Sequence, residues 1–343
     1  MRYHVRMRIA LAASILLALR AARILEPTAA ELLAQDAKAF LDALDPAQRA
    51  LACVAIDAPA RTSWSFVPGD RPGARLDALT PQQRDLALAM ARRALSDHGW
   101  KVLRGVFALE GMLGTGQPER YNPLWYDVLV FGDPTAPPWG MRLEGHHLSL
   151  QIMTDGAQVT VTPMFIGVAP FTVKGGELDG FSPLGRERDL AFLLWGMLSP
   201  EQRTKARLGP EAPADVLGVP GGEARLKDRA GLEAMHMTRE QRDVLWSLVR
   251  AFSARLASPI EKAEVARWRT ASVDAMVFAW MGGDEPSQRH YFRIVGDGFA
   301  VEVDCTSGVD HVHAVWHDLR RNFGDPFLEH AKAHAAGTAH THP

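Results

Sequence analysis

The sequence predicts an α+β protein of two pseudo-repeated halves, each a pair of capped helices followed by an antiparallel β meander. Three observations carry this. One helix-start motif occurs four times, two strand-rich stretches align with each other, and motifs and stretches follow the same order twice. The chain has 343 residues, 47% hydrophobic and 23% charged, which is ample for a buried core. A net charge of −2 lacks the basic surface that general nucleic-acid binding needs. Cys53 and Cys305 fit neither a disulfide framework nor a zinc spacing, and each reads as a small buried apolar residue.

At the N-terminus, Arg2, Arg6 and Arg8 precede an apolar run from Ile9 to Leu19, broken only by Ser14. That order and length suit a signal peptide, and the run is too short to span a bilayer. Arg20 and Arg23 interrupt the cleavage region, whose best small-residue site is Thr28-Ala29-Ala30. The expectation is a leader over 1–30 and an exported or periplasmic mature chain from near Glu31. The alternative is an amphipathic N-terminal helix or a misassigned start, on a cytoplasmic protein.

The four helix starts are "DPAQR" at 45, "TPQQR" at 80, "SPEQR" at 199 and "TREQR" at 238. Asp45, Thr80, Ser199 and Thr238 can each accept a bond from the free N–H groups of a first turn. Pro46, Pro81 and Pro200 sit at the first helical position, where no N–H is needed. Gln48, Gln83, Gln202 and Gln241 sit three after the cap and can reach back to complete a capping box.

The strand-rich stretches are "WGMRLEGHHLSLQIMTDGAQVTVTPMF" (139–165) and "RHYFRIVGDGFAVEVDCTSGVDHVHAVW" (289–316). Arg142 aligns with Arg293, Gly145 with Gly296, Leu148 with Phe299 and Leu150 with Val301. Both copies then reach a turn, at Asp155-Gly156 and Ser307-Gly308. The counterpart of 309–316 is "QVTVTPMF", whose β-branched alternation predicts a strand over 311–317. His311, His313, Val315 and His317 then share one face, and Val312, Ala314 and Trp316 the other. If polar faces pair, Glu302 and Asp304 lie beside His311 and His313. A helical reading instead pairs His313 with His317 at four-residue spacing. The halves run over 36–190 and 191–330 as one globular unit, with a flexible His-containing tail over 331–343.

From about Lys38 onwards the chain resembles the domain-of-unknown-function family DUF3500. The resemblance rests on "RTSWSFVPGDRPG", "WGMRLEGHHLSL", "RHYFRIVGDGFAVEVD" and "HVHAVWHD". The family patterns read W-G-W-R-x-E-G-H-H-L-S, H/Y-Y-Y-R-I and H-I-H-S-V-W-R-D. Trp139, Gly140, Arg142, Glu144, Gly145, His146, His147 and Leu148 match the first. Tyr291, Arg293 and Ile294 match the second, and His311, His313, Val315, Trp316 and Asp318 the third. His317 departs, since the family usually has Arg there, so the resemblance carries no ligand role to it. The family implies a grouping of residues and no established chemistry.

In the internal alignment "GHHL" lies over "GDGF", and His-x-His lies over threonine and valine. Each half therefore carries imidazoles where the other carries turn or apolar residues. A shared pocket would gather His146, His147 and Glu144 from one half with His311 and His313 from the other. Neutral imidazole is a common ligand for zinc, copper and iron. Three such ligands with an open position make a catalytic arrangement. The expected metal ligands are His146, His147, His311 and His313, with Asp304, Asp318 and His317 behind them as ring N–H partners. Glu144, Arg142 and Arg293 are the expected catalytic groups. A metal-free pocket would use histidine as acid or base and Arg142 or Arg293 to hold an anion. A purely structural role would have these histidines satisfy hydrogen bonds on a half-buried sheet.

The functional expectation is a metalloprotein, an enzyme acting on a small molecule by hydrolysis or oxidation. The alternative is a non-catalytic exported binding protein for a metal ion or small anion. "RTSWSFVPGDRPG" (61–73) reads as a loop, with Trp64 either packed or functional. No phosphate loop, dinucleotide fingerprint, H-E-x-x-H or G-x-S-x-G is present, which removes the common nucleotide, zinc-protease and hydrolase assignments.

Overall fold

The computed structural model describes residues 26–270 and 272–335. Most of the expected leader and the tail from 336 lie outside these residues. In chain order the elements are α1 (Ala29–Asp42), α2 (Pro46–Ala52), β1 (Cys53–Val54), β2 (Ala74–Arg75), α3 (Pro81–Ala94), α4 (Asp97–Gly116), β3 (Tyr126–Asp133), β4 (Ala136–Gly145), β5 (Leu148–Thr154), β6 (Val159–Thr160) and β7 (Met164–Val168). There follow α5 (Gly185–Met197), α6 (Pro200–Ala206), β8 (Arg207–Gly209), β9 (Leu232–Glu233), α7 (Arg239–Ser253), α8 (Ser258–Thr270), β10 (Val277–Gly282), β11 (His290–Val295), β12 (Phe299–Gly308), β13 (His311–Asp318) and α9 (Asp325–Ala335). Among the described residues, four helices, not two, precede each run of long strands.

All four expected capping boxes form. Their glutamines also do something a cap alone does not require. The amides of Gln48 and Gln83 donate to each other's oxygens at 3.2 and 2.8 Å. Gln202 and Gln241 do the same at 3.0 and 2.9 Å. Each pair ties two helix starts together, and Gln83 and Gln241 also donate to the ends of preceding helices at Ala43 and Met197.

The expected boundary at 190/191 falls inside α5, which starts on Leu184 without a side-chain cap. The start placed at 36 falls inside α1, whose box joins Thr28 and Glu31. Cleavage before Glu31 would remove that cap. The tail placed at 331 begins within α9.

The strands form one mixed sheet in the order β1-β3-β4-β5-β7-β13-β12-β11-β10-β8. The central pairings are antiparallel, while β1 with β3 and β8 with β10 run parallel at the two ends. β13 is a strand, as its alternation predicts, and it lies beside β7 with Val315 opposite Phe165.

One face of the sheet is apolar. Leu148, Ile166, Trp316 and Val301 join helix residues such as Leu103, Val106, Leu248 and Phe252 in the main core. Burial of this kind contributes roughly 1.5–3 kcal/mol per large side chain. The opposite face carries buried Arg142, Glu144, Glu302, Asp304, His313 and His317. It is covered by segments 55–73 and 210–231, whose backbones hydrogen-bond to those side chains. No helix of the described residues is long and apolar enough to cross a membrane.

Candidate metal centre

His146 and His147 form the two-residue turn between β4 and β5. His147 has φ 62°, a left-handed conformation that costs a non-glycine residue about 1–2 kcal/mol. The aligned position in the β11–β12 turn is Gly298, at φ 84°. The strain at His147 is held from two sides. Its N–H donates to Phe66 O at 3.0 Å, and its carbonyl accepts from Gly167 N–H at 2.7 Å.

That anchoring aims the His147 ring at β13. Its Nε2 lies 3.0 Å from His311 Nε2, which lies 3.0 Å from His313 Nε2. The three ligand atoms all fall within 4.8 Å of one another, so this buried group could hold a metal ion. Gly167, paired with His313 across β7 and β13, makes the space. A Cβ there would sit 2.6 Å from His147 Cδ2 and 3.0 Å from His313 Cδ2.

The far sides of the rings are held as well. His313 Nδ1 contacts Asp215 Oδ1 at 2.8 Å and Thr306 Oγ1 at 3.0 Å. His311 Nδ1 meets Ser307 Oγ at 2.9 Å. When His313 donates its Nδ1–H to Asp215, its Nε2 presents a bare lone pair. Phe66 and Phe165 stack at 4.0 Å and present an apolar wall to the His313 edge. Burial, then the neighbouring imidazoles, holds His147 far below its ordinary pKa. Burial and the His313 ring push His311 down to about 4. Both rings are therefore neutral at neutral pH, the form a metal takes.

Asp215 reaches the site on a strap. Glu302 accepts from Leu217 N–H at 2.7 Å and Gly218 N–H at 3.0 Å, and from Tyr291 OH at 2.9 Å. Asn322 donates to His317 Nδ1 at 2.8 Å, so His317 Nε2–H donates to Gly218 O at 2.9 Å. His317 thus holds the strap rather than an imidazole. On the other side Glu144 accepts from Ser65 N–H at 3.1 Å, Ser149 OH at 2.9 Å and Arg142 Nε at 3.0 Å. Arg142 also donates to Ala60 O at 2.9 Å. Glu144 and Arg142 therefore fasten the strap that carries Trp64 and Phe66.

Arg293 is buried and pairs with Asp228 at 3.0 Å. Asp304 lies opposite His313 in register, yet neither carboxylate oxygen has a hydrogen-bond partner. Asp318 accepts from Arg320 N–H in the turn after β13. The acceptor behind His313 is thus Asp215, where Asp304 or Asp318 was expected.

His146 stacks on His147 with ring centroids 3.7 Å apart, but its Nδ1 turns away to Glu110 Oε2 at 2.8 Å. His146 and Glu110 line a cleft of about 630 Å³. Glu110, His146 and His147 form a second group able to hold an ion, their ligand atoms again within 4.8 Å. His330 and His334 meet at 3.0 Å on α9 and belong to neither group.

Residues 26–325 match the model of a family described as "Protein of unknown function (DUF3500)". The chain belongs to that family. No curated protein and no solved structure matches it. The DUF3500 match contains His147, His311, His313, Asp215 and Gly167, and ends before His330. Sequence reading missed Asp215, Gly167 and Glu110. A glycine inside the apolar strand "MFIGV" marks a close approach and was the one available signal. Asp215 sits in an irregular segment and Glu110 on a helix, with no pattern pointing at either.

Proposed function

We propose that the chain is a metalloprotein with one divalent first-row transition ion on His147, His311 and His313. The observation that carries this is the convergence of three Nε2 atoms at 3.0 Å steps, with burial keeping the His147 and His311 rings neutral. Nitrogens bound to one such ion at about 2.0–2.1 Å lie roughly 3–3.5 Å apart, so little rearrangement is needed. Hydrogen bonding does not explain the contact as well, because His311 Nε2 faces two other Nε2 atoms and has at most one proton to offer. Zinc and copper suit an all-imidazole set.

Three protein ligands leave an open position, which favours an enzyme over a store. A bound ion would supply Lewis acidity there, suited to hydrolysis of a small molecule. Asp215 and Ser307 would fix the ring orientations, and Phe66 and Phe165 would keep water off the His313 side. Elemental analysis of purified protein beside a His311→Ala, His313→Ala variant tests this. The wild type should carry the ion and the variant should lose it with its far-UV circular dichroism unchanged. Equal metal content in both would refute the reading.

We also infer that the chain is a duplication, with the two units meeting at β7 and β13. In support, the element order α, α, short strand, short strand, α, α, long strands occurs twice. Leu95 and Leu256 also form a bridge at matching helix–helix corners. We further propose that the basic and apolar N-terminus is an export leader, cut no later than Thr28 so that the α1 cap survives.

A further inference from the structure

We propose that the floor of the cleft is a second divalent-cation site, with Glu110 and His146 as ligands and His147 shared with the triad as a bridging imidazolate whose remaining ring proton is released to solvent. This goes beyond the mononuclear reading, since the triad uses neither Glu110 nor His146.

The donor atoms are already at the required spacing. Glu110 Oε2 and His146 Nδ1 lie 2.8 Å apart. Oxygen and nitrogen ligands on one first-row ion, at about 2.0–2.2 Å, lie about 3 Å from each other. The His146 ring is also held in place. Its backbone carbonyl accepts from Tyr126 OH at 3.1 Å, Tyr121 packs 4.9 Å away, and His147 stacks on its face. A fixed ring loses little freedom on binding an ion.

Charge points the same way. Glu110 is only 3% exposed, and a buried carboxylate is costly without a positive partner. The arginines lining the cleft face other groups, Arg71 with its Nε 3.6 Å from Glu144. Arg71 donates to Val67 O and Gly69 O, and Arg75 pairs with Asp77 through two bonds. Arg120 lies over the Tyr121 ring. An ion entering through the cleft would meet the Glu110 carboxylate and His146 together. The mixed oxygen and nitrogen donors suit zinc or manganese, a harder preference than that of the all-nitrogen triad.

The test is the number of Zn2+ ions bound per full-length chain after equilibrium dialysis. All samples carry His330, His334, His340 and His342 replaced by Ala, so that tail histidines contribute nothing. That parent protein should bind two ions. Glu110→Gln should bind one, and His313→Ala should keep one, in the cleft. Glutamine can still accept from the His146 ring, so the fold should survive, as checked by circular dichroism; His146→Gln serves if it does not. If the parent binds a single ion that Glu110→Gln retains, the second site is overturned while the triad stands. If that single ion is lost in Glu110→Gln and kept in His313→Ala, the cleft site stands and the triad reading fails. Binding of no ion overturns both.

Discussion

The Nε2 atoms of His147 and His311 lie 3.0 Å apart although 164 residues separate them in the chain. The sheet makes this contact. β5 and β13 both flank β7, so the β4–β5 turn and the start of β13 meet at one end of the sheet. The contact is kept at the expense of a left-handed histidine, where the aligned turn uses glycine. Strain of that kind persists only where the surroundings hold it, and Phe66 and Gly167 do so here.

Gly167 is the position where the site should be most sensitive to one methyl group. An added Cβ would overlap both the His147 and His313 rings. Gly167→Ala should cost about 1–3 kcal/mol by overpacking and should displace the rings. Thermal denaturation with and without Zn2+ checks it. The metal-induced rise in Tm should vanish in the variant, and a rise equal to that of wild type would count against the geometry.

Asp215 is expected to act through His313 rather than on a ligand of its own. Asp215→Asn should weaken metal affinity about 10–100-fold, the usual effect of losing a ring N–H acceptor. Competition against a chelator would measure the change. An unaltered affinity would mean that Thr306 alone orients the ring.

The paired glutamines give a stability prediction separate from the site. Gln83→Glu keeps an acceptor for the cap but removes the amide that donates to Ala43 O and Gln48. It should destabilise the fold by about 1–3 kcal/mol, because two part-buried acceptors lose their donor and a carboxylate is placed where Gln83 is buried. Urea denaturation reads this directly. A change under about 0.5 kcal/mol, typical of an exposed surface substitution, would reduce the motif to a simple cap.

Asp304 supplies a pH dependence. Burial, with the nearby Asp215 charge, raises its carboxyl from 3.8 to about 8. The native state holds this proton more tightly than the unfolded chain does. The stability linked to it is therefore complete below about pH 4 and falls as pH rises through about 8. Asp304→Asn should match wild type near pH 4 and exceed it in stability above pH 8. Denaturation of the metal-free proteins across this range would show the gap widening with pH. A constant gap would place the ionised carboxylate in the native state.

What was legible in the sequence follows from how local each signal is. The helix starts at Asp45, Thr80, Ser199 and Thr238 are written in four adjacent residues and form as read. The strand at 311–318 was legible from alternation and from its counterpart. α5, which spans the 190/191 boundary, carries no such start signal, because Leu184 offers no capping side chain. The start of α1 was missed because "TAAE" looked like a cleavage region, although Thr28 and Glu31 make a capping box. At the site, the histidines were visible as a composition anomaly. Their support was not. Asp215 depends on a strap fixed by Glu302 and His317, and Glu144 turned out to anchor a strap of its own. Those are long-range contacts with no periodicity to announce them.

The most direct test of the metal centre is a crystal structure of the Zn2+-loaded protein with anomalous diffraction recorded at the zinc edge. A peak about 2.0–2.1 Å from the Nε2 atoms of His147, His311 and His313 is predicted. No peak among those three nitrogens at saturating Zn2+ would contradict it, whatever is found at Glu110 or near His330.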